Sequence, residues 1–378
     1  ADSTVSKVVR QSSAIAYLGS RKPNLALLTN RHISRIRIEN GRARAVETMT
    51  GEVISARREI IICQGAFGTP QLLMLSGIGP AAHLHEHGIA PAVDLPGARG
   101  HLADHVDVSM QYGSDFMALS HARHQRLDRA AMLMGRWLIN GSGPGGGSLF
   151  SVVLFNAARD RDLPETEIFM TPMIIDENLG DGGDEDAPLL QRLGRKLLVR
   201  GRKVARPGVQ LDINRERPKS LGTVRLRDGT PASHPVIDPN FLSSPQDIDD
   251  LVRAVKDMRT IMQQPQIARY VTGEIGPWAE ARNDDDIISA IRQTAYTGHH
   301  PCSTARMGAD SDVGAVLDSQ LRVRGIDGLR VCDAAAMPGQ ITGNLYATVI
   351  AMAEKAADMI KGVTPLSATF EIERTAEP

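Results

Sequence analysis

Residues 59–63 form an unbroken apolar run, EIIIC, followed at once by Gly65, Gly68 and Pro70 and by an apolar stretch that continues to Leu75. A run of this kind suits a short strand covered on both faces, as in a parallel sheet, and the glycines supply a tight turn into a helix N-terminus. A strand, turn and helix in this order point to an α/β layer arrangement. Upstream, residues 24–30 (NLALLTN), 32–40 (HISRIRIEN) and 42–48 carry apolar side chains at near-alternate positions, and Asn40-Gly41 is a two-residue hairpin signal, so a small antiparallel meander is expected. Residues 10–18 are expected to form a helix.

Downstream, residues 223–227 read as a strand. Residues 244–263 read as an amphipathic helix, with Ser244 as N-cap, Pro245 at the first position, and Ile248, Leu251, Val252, Val255, Met258, Ile261 and Met262 at helical spacing. Three aspartates in the first turn favour a second helix over 284–294. Residues 329–332 read as a short buried strand and 343–360 as a final helix. Between these segments the chain is harder to read. Residues 140–148 (NGSGPGGGS) are a linker or a close backbone approach to a ligand. Residues 176–186 are acidic and 192–206 basic, an expected self-paired, exposed excursion.

The 378 residues exceed a single small module and predict two domains or one with an insertion. Lys and Arg total 43 against 44 Asp and Glu, which leaves no general attraction for nucleic acid or an anionic membrane. The three cysteines, Cys63, Cys302 and Cys332, are too few and too scattered for a disulfide framework or a CxxC metal site. A reducing compartment, the cytoplasm, is the expected location, and no metal is expected. No apolar run approaches the roughly 20 residues of a spanning helix, and the opening ADSTVSKVVRQ has no signal-peptide h-region.

No GxGxxG lies between a strand and a helix, and no GxxxxGKS is present. Four other motifs carry more information. Residues 65–80 (GAFGTPQLLMLSGIGP) resemble the second signature of the glucose-methanol-choline (GMC) oxidoreductases, flavin enzymes that oxidise alcohols. In the same order, residues 97–105 (GARGHLADH) look like that family's GVGxNLQDH loop, residues 297–308 (TGHHPCSTARMG) like its HPxGTxxMG segment, and residues 331–358 like its DASxMP...GNxxAPTxMIxEKAAD ending. The resemblance runs from about residue 10 to residue 361, weakly in the middle.

The resemblance implies an α/β FAD-binding domain, α+β overall, interrupted by a substrate domain built on an antiparallel sheet with helices. It divides the chain into 1–105 (flavin domain), 106–296 (substrate domain), 297–364 (return segment of the flavin domain) and 365–378 (tail). It also implies FAD as cofactor and a small-molecule alcohol as substrate. Because the family's GxGxxG portion is not seen, a complementary N-terminal polypeptide carrying it is an expected partner.

Residue by residue, the resemblance implies that His300, which precedes Pro301, is the base and that Asn344 partners the substrate oxygen while hydride passes to flavin N5. A histidine held before proline, with a pKa near neutrality, suits removal of a hydroxyl proton. Asn344 also suits an ordinary N-cap. Ile33, Gly65, Ala66, Asp333, Ala334, Asn344 and Leu345 are the implied cofactor contacts; His299 and Tyr346 line the pocket. Three departures stand out: Ser303 replaces the glycine of HPxGT, His101 the asparagine of NLQDH, and the NAPT proline is absent around Tyr346. Cys302 beside His300 reads as a small buried residue rather than a nucleophile. Hydroxynitrile lyase chemistry on the same fold and a flavin-free, non-catalytic subunit are the alternatives.

Overall fold

The computed structural model describes residues 4–6, 9–19, 22–116, 120–125, 127–141, 150–157, 163–175 and 205–364. The glycine-rich stretch after Gly141, the acidic run, most of the basic run and the tail lie outside them.

The largest sheet has six antiparallel strands. Val152–Asn156, Thr166–Thr171, Gly208–Arg215, Val106–Gly113 and Gly273–Glu274 lie in that order, and Ala295–Thr297 also pairs with Val106–Gly113. Two of its strands alternate strictly, VDVSMQY and VQLDINR, so one face is apolar and the other polar. On the apolar face Val108, Met110, Leu211 and Ile213 pack against Leu251, Val255 and Met258 of helix Pro245–Met262 and Ile291 of helix Asp284–Thr294. Each large side chain buried there contributes roughly 1.5–3 kcal/mol, which makes this layer a stable wall. Arg215 is buried on the same side and is held by Asp250 at 2.7 Å and Asp247 at 3.4 Å from the facing helix. Helix Asp284–Thr294 starts with a complete capping box between Asn283 and Asp286.

The polar face is unusual for its depth. Strand register sets Asp107 beside Asn214, and Asn214 beside Glu167, all three buried. Burial, aided by the nearby charge of Asp212, pushes the Asp107 carboxyl up to about 8.

A second core surrounds the expected strand, turn and helix. Ile60–Ile62 pairs in parallel with Leu329–Val331, nearly 270 residues later in the chain, and helix Gly65–Leu75 follows it. The meander Ile33–Glu39, Arg42–Thr48 and Val53–Ser55 is joined at Asn40-Gly41, where both residues have positive φ (51° and 72°). The helices over 284–294 and 245–262 and the terminal helix Leu345–Lys361 fall where the spacing predicts them.

Four expectations need correction. Residues 24–30 form no strand: no strand among the described residues pairs with them and Leu27 is 66% exposed, so alternation there has no sheet to serve. Ile61 is 43% exposed, so the parallel strand is covered on one face only among the described residues. The first helix shortens to Ser13–Leu18, capped by the Ser12 side chain, with Val9–Gln11 a strand before it. Ile261 lies on the open side of its helix.

Candidate active site

His300 follows strand Ala295–Thr297 and faces a segment of the chain 40 residues on. Its backbone is fixed at both ends. Its N–H donates to Asp104 Oδ1 (2.9 Å), and its carbonyl accepts from Gln340 Nε2 (2.9 Å). Asp104 accepts in addition from the Thr297 hydroxyl (2.5 Å), and the burial of this carboxyl raises its pKa. The His300 ring stands edge-on to the ring of His105, with the two Nδ1 atoms 3.1 Å apart. The other nitrogen of His105 lies 3.0 Å from the carbonyl oxygen of Ile341. His105 is fully buried, and desolvation pushes its pKa down to about 4, so it is neutral near pH 7.

Gln340 and Ile341 lead into the terminal helix, where Asn344 occupies the N-cap position without its side chain closing the cap. Gly343, with φ +83°, donates its N–H to the Glu216 carboxylate. Glu216 Oε2 is also 4.0 Å from His105 Nε2. Burial, together with nearby Glu167, pushes the Glu216 carboxyl up to about 8. The segment carrying Asn344 is thus tied to the histidine pair through Gln340, Ile341 and Glu216.

The other expected residues divide into groups. Asp333 accepts from Gly65 N–H (2.9 Å), the Thr69 hydroxyl (2.6 Å) and Ala335 N–H (2.8 Å). It therefore locks the start of helix Gly65–Leu75 to the end of the parallel strand. The Ala66 carbonyl accepts from Thr304, and Ala334 accepts from Ser303 N–H. Leu345 is buried among Ala103, Cys302 and Met337. Gly65, Ala66, Asp333, Ala334 and the 300–304 segment accordingly form one connected patch. Ile33 sits apart, at the edge of the meander and half-buried against the second core. His299 is exposed with φ +61°, and Tyr346 is 36% exposed in the first turn of the terminal helix.

Cys302 is fully buried and donates to Gln340 Oε1 (3.1 Å); burial pushes its thiol up to about 12, too high for a nucleophilic thiolate. Two of the three departures now have a conformational meaning. Ser303 has φ +68° and His101 φ +59°. Both occupy the left-handed region that favours glycine, and to a lesser degree asparagine, which is what the resembling motifs carry at those positions.

His105, Asp104, Gln340 and Glu216 are the residues that sequence reasoning left without a role. His105 and Asp104 stand inside the quoted GARGHLADH motif, and that was the available signal; Gln340 and Glu216 have no local signature. Elsewhere, His83, Glu86 and His87 bring possible ligand atoms within 4.8 Å of one another. His83 Nε2 already accepts Leu226 N–H (3.1 Å) and its Nδ1 lies 3.3 Å from Glu86, so both nitrogens are in use.

A cleft of about 280 Å³ opens beside this patch, lined by His101, Ala103, Ser303, Arg306, Gly339 and Gln340. His101 Nδ1 and Arg306 Nε are buried there without hydrogen-bond partners. A Cβ added at Gly65, Gly339 or Gly343 would meet nothing within 4 Å. Of these glycines Gly339 lines the cleft, and unpaired polar atoms beside a glycine with open space above it suit a broad, polar-edged ligand.

Two family descriptions, both GMC oxidoreductase, match residues 4–106 and 218–353, together more than half of the chain. The chain belongs to the GMC oxidoreductases. It is a flavoprotein sequence of that family, and membership makes FAD its cofactor. Similar curated proteins are the oxygen-dependent choline dehydrogenases of Yersinia pseudotuberculosis serotype O:1b (35% identity over 371 residues, 95% of this chain and 60% of that protein) and Burkholderia cenocepacia (34% over 369 residues, 95% and 60%). Among solved structures, pyridoxine 4-oxidase from Mesorbium loti superposes with a TM-score of 0.76 at 24% identity, covering 96% of this chain and 64% of that one. Formate oxidase from Aspergillus oryzae RIB40 gives a TM-score of 0.75 at 25% identity, covering 90% and 61%. This GMC chain spans about 60% of the length of the curated relatives.

The match at 4–106 gives the expected complementary N-terminal polypeptide no support. Those residues carry N-terminal-domain sequence themselves, and the parallel strand and helix within them find their partner strand, Leu329–Val331, in the same chain. No helix among the described residues is long and apolar enough to cross a membrane.

Proposed function

We propose that this GMC chain carries the proton-handling machinery for FAD-dependent oxidation of a small alcohol, with His300 as the base and Asn344 as the oxygen partner. One observation carries the reading: a histidine whose backbone is clamped on both sides and whose ring abuts a buried neutral histidine lies against the segment that delivers Asn344. Residues 1–105 and 297–364 would form the flavin side and 106–296 the substrate side.

Gly65, Ala66, Asp333, Ala334, Asn344 and Leu345 would hold FAD, with Ile33 near its adenine end, and His299 and Tyr346 would border the substrate. When bound, FAD supplies the hydride acceptor. The chain's own residues do the rest. His300 accepts the hydroxyl proton, and the Asn344 carboxamide donates a hydrogen bond to the oxygen as negative charge develops on it. The N-terminus of the terminal helix adds its positive end to the same place. Fixing the His300 backbone at both ends avoids reorganisation at the moment of proton transfer.

The curated relatives are named for choline, and a choline-like alcohol is the first substrate to test. The measurement is anaerobic bleaching of the flavin band of the purified protein on addition of choline and of neutral primary alcohols. Bleaching by an alcohol supports the reading. A yellow protein that cleaves cyanohydrins and is bleached by no alcohol would replace it with lyase chemistry, and a folded, colourless protein with a non-catalytic role.

A further inference from the structure

We infer that His105 is a positioning residue that holds His300 in a single tautomer, protonated on Nδ1, with the lone pair of the base on Nε2. A carbonyl oxygen can only accept, so the 3.0 Å approach of His105 Nε2 to that of Ile341 requires a proton on Nε2. A neutral imidazole carries one N–H, which leaves His105 Nδ1 as an acceptor. His300 Nδ1, 3.1 Å away, must then be the donor. In a neutral ring its remaining nitrogen, Nε2, then carries the lone pair.

The surroundings support a neutral His105. It is fully buried, and desolvation keeps it from taking a second proton at neutral pH. The charged and titratable groups near it are Glu216 and Arg215 from strand Gly208–Arg215 and the turn after it, and His300 itself. The Glu216 carboxylate is 4.0 Å from Nε2, beyond direct bonding, and its own raised pKa lowers the negative charge that would otherwise draw a proton onto the ring, while the Glu216 backbone, like the Ile341 carbonyl, favours a proton there. Backbone contacts fix the position of His105. Its carbonyl accepts from Gly298 N–H (2.8 Å), and a Cβ at Gly298 would lie 2.8 Å from the His105 Cβ, so no side chain fits between them. One buried ring therefore sets the orientation of the proposed base and, through Ile341, its register with Asn344.

The catalytic consequence rests on His300 being the base proposed above; the tautomer does not. The test is a long-range ¹H–¹⁵N correlation spectrum of the ¹⁵N-histidine-labelled full chain near pH 7.5, with the two rings assigned through His105→Asn and His300→Gln. The expected result is opposite tautomers: Nε2–H for His105 and Nδ1–H for His300. A His300 ring protonated on Nε2 overturns the inference, whatever the variants do.

His105→Leu removes the acceptor and should convert His300 to a mixture of tautomers, with kcat falling by about tenfold or more and KM little changed. His105→Asn restores an acceptor near the place of Nδ1 and should recover most of that loss. A folded His105→Leu protein with an unaltered His300 spectrum and unaltered kcat also overturns the inference. Failure of the base assignment reads out separately, as the expected wild-type tautomers together with undiminished flavin reduction in His300→Ala.

Discussion

Replacing His105 by asparagine should remove most of one pH dependence of stability. In the folded chain this ring has a pKa of about 4 because it is buried; in the unfolded chain it returns to the ordinary value near 6.5. The folded-state value is the lower one, so at acid pH the unfolded chain binds a proton that the folded chain refuses. The penalty is absent above pH 6.5 and grows as pH falls towards 4. At about 1.36 kcal/mol per unit, the shift gives a limit of roughly 3.4 kcal/mol, of which about 2.4 kcal/mol develops between pH 7 and pH 4.5. The raised carboxyls of Asp107 and Glu216 act with the opposite sign, losing stability as pH rises through about 8, but both proteins share them. Urea unfolding of wild type and His105→Asn at matched pH isolates the ring. Whatever their gap at pH 7, it should shift by about 2.4 kcal/mol in favour of the variant on going to pH 4.5. Parallel curves with a constant gap would refute the buried, neutral assignment.

Three further outcomes follow from particular contacts. Asp333→Ala strands the Gly65 and Ala335 N–H groups and the Thr69 hydroxyl, and should cost roughly 3–5 kcal/mol in urea unfolding; a loss below about 1 kcal/mol would mean that the carboxylate is not the tie between helix and strand. Gly298→Ala forces a methyl to within 2.8 Å of the His105 Cβ and should cost about 1–3 kcal/mol while disturbing the His105 ring signals. His299→Ala should raise KM without slowing flavin reduction, the pattern of a residue that borders the pocket; slowed reduction in steady-state and single-turnover kinetics would show that the doubled histidine had been assigned the wrong way round.

What could be read from the sequence depended on how local its cause was. Helix Asp284–Thr294 announces itself through three aspartates and an apolar stripe, and strand Ile60–Ile62 through its bounded apolar run. The central strands Val106–Gly113 and Gly208–Arg215 alternate as plainly as any, but their polar positions include carboxylates and amides that are buried only because neighbouring strands and helices cover them, so the sequence alone assigns no element there. Residues 24–30 show the reverse error, since alternation without a neighbouring strand makes no sheet. His300 was legible because proline and the surrounding motif mark it. Its partner His105 lies 195 residues away, and although a motif surrounds it, nothing local says that its ring meets the one at position 300. The left-handed backbone at Ser303 and His101 was hidden for the same reason: side-chain identity records what replaced the glycine and the asparagine, while the torsion that explains it exists only in the fold.

The central claim is that the imidazole at position 300 takes the proton from an alcohol. Its most direct test is anaerobic rapid mixing of the FAD-loaded protein with a substrate alcohol, comparing wild type with His300→Ala by the rate at which the flavin band disappears. The account predicts a rate at least about a hundredfold lower in the variant, with flavin still bound. Equal rates in the two proteins would contradict it.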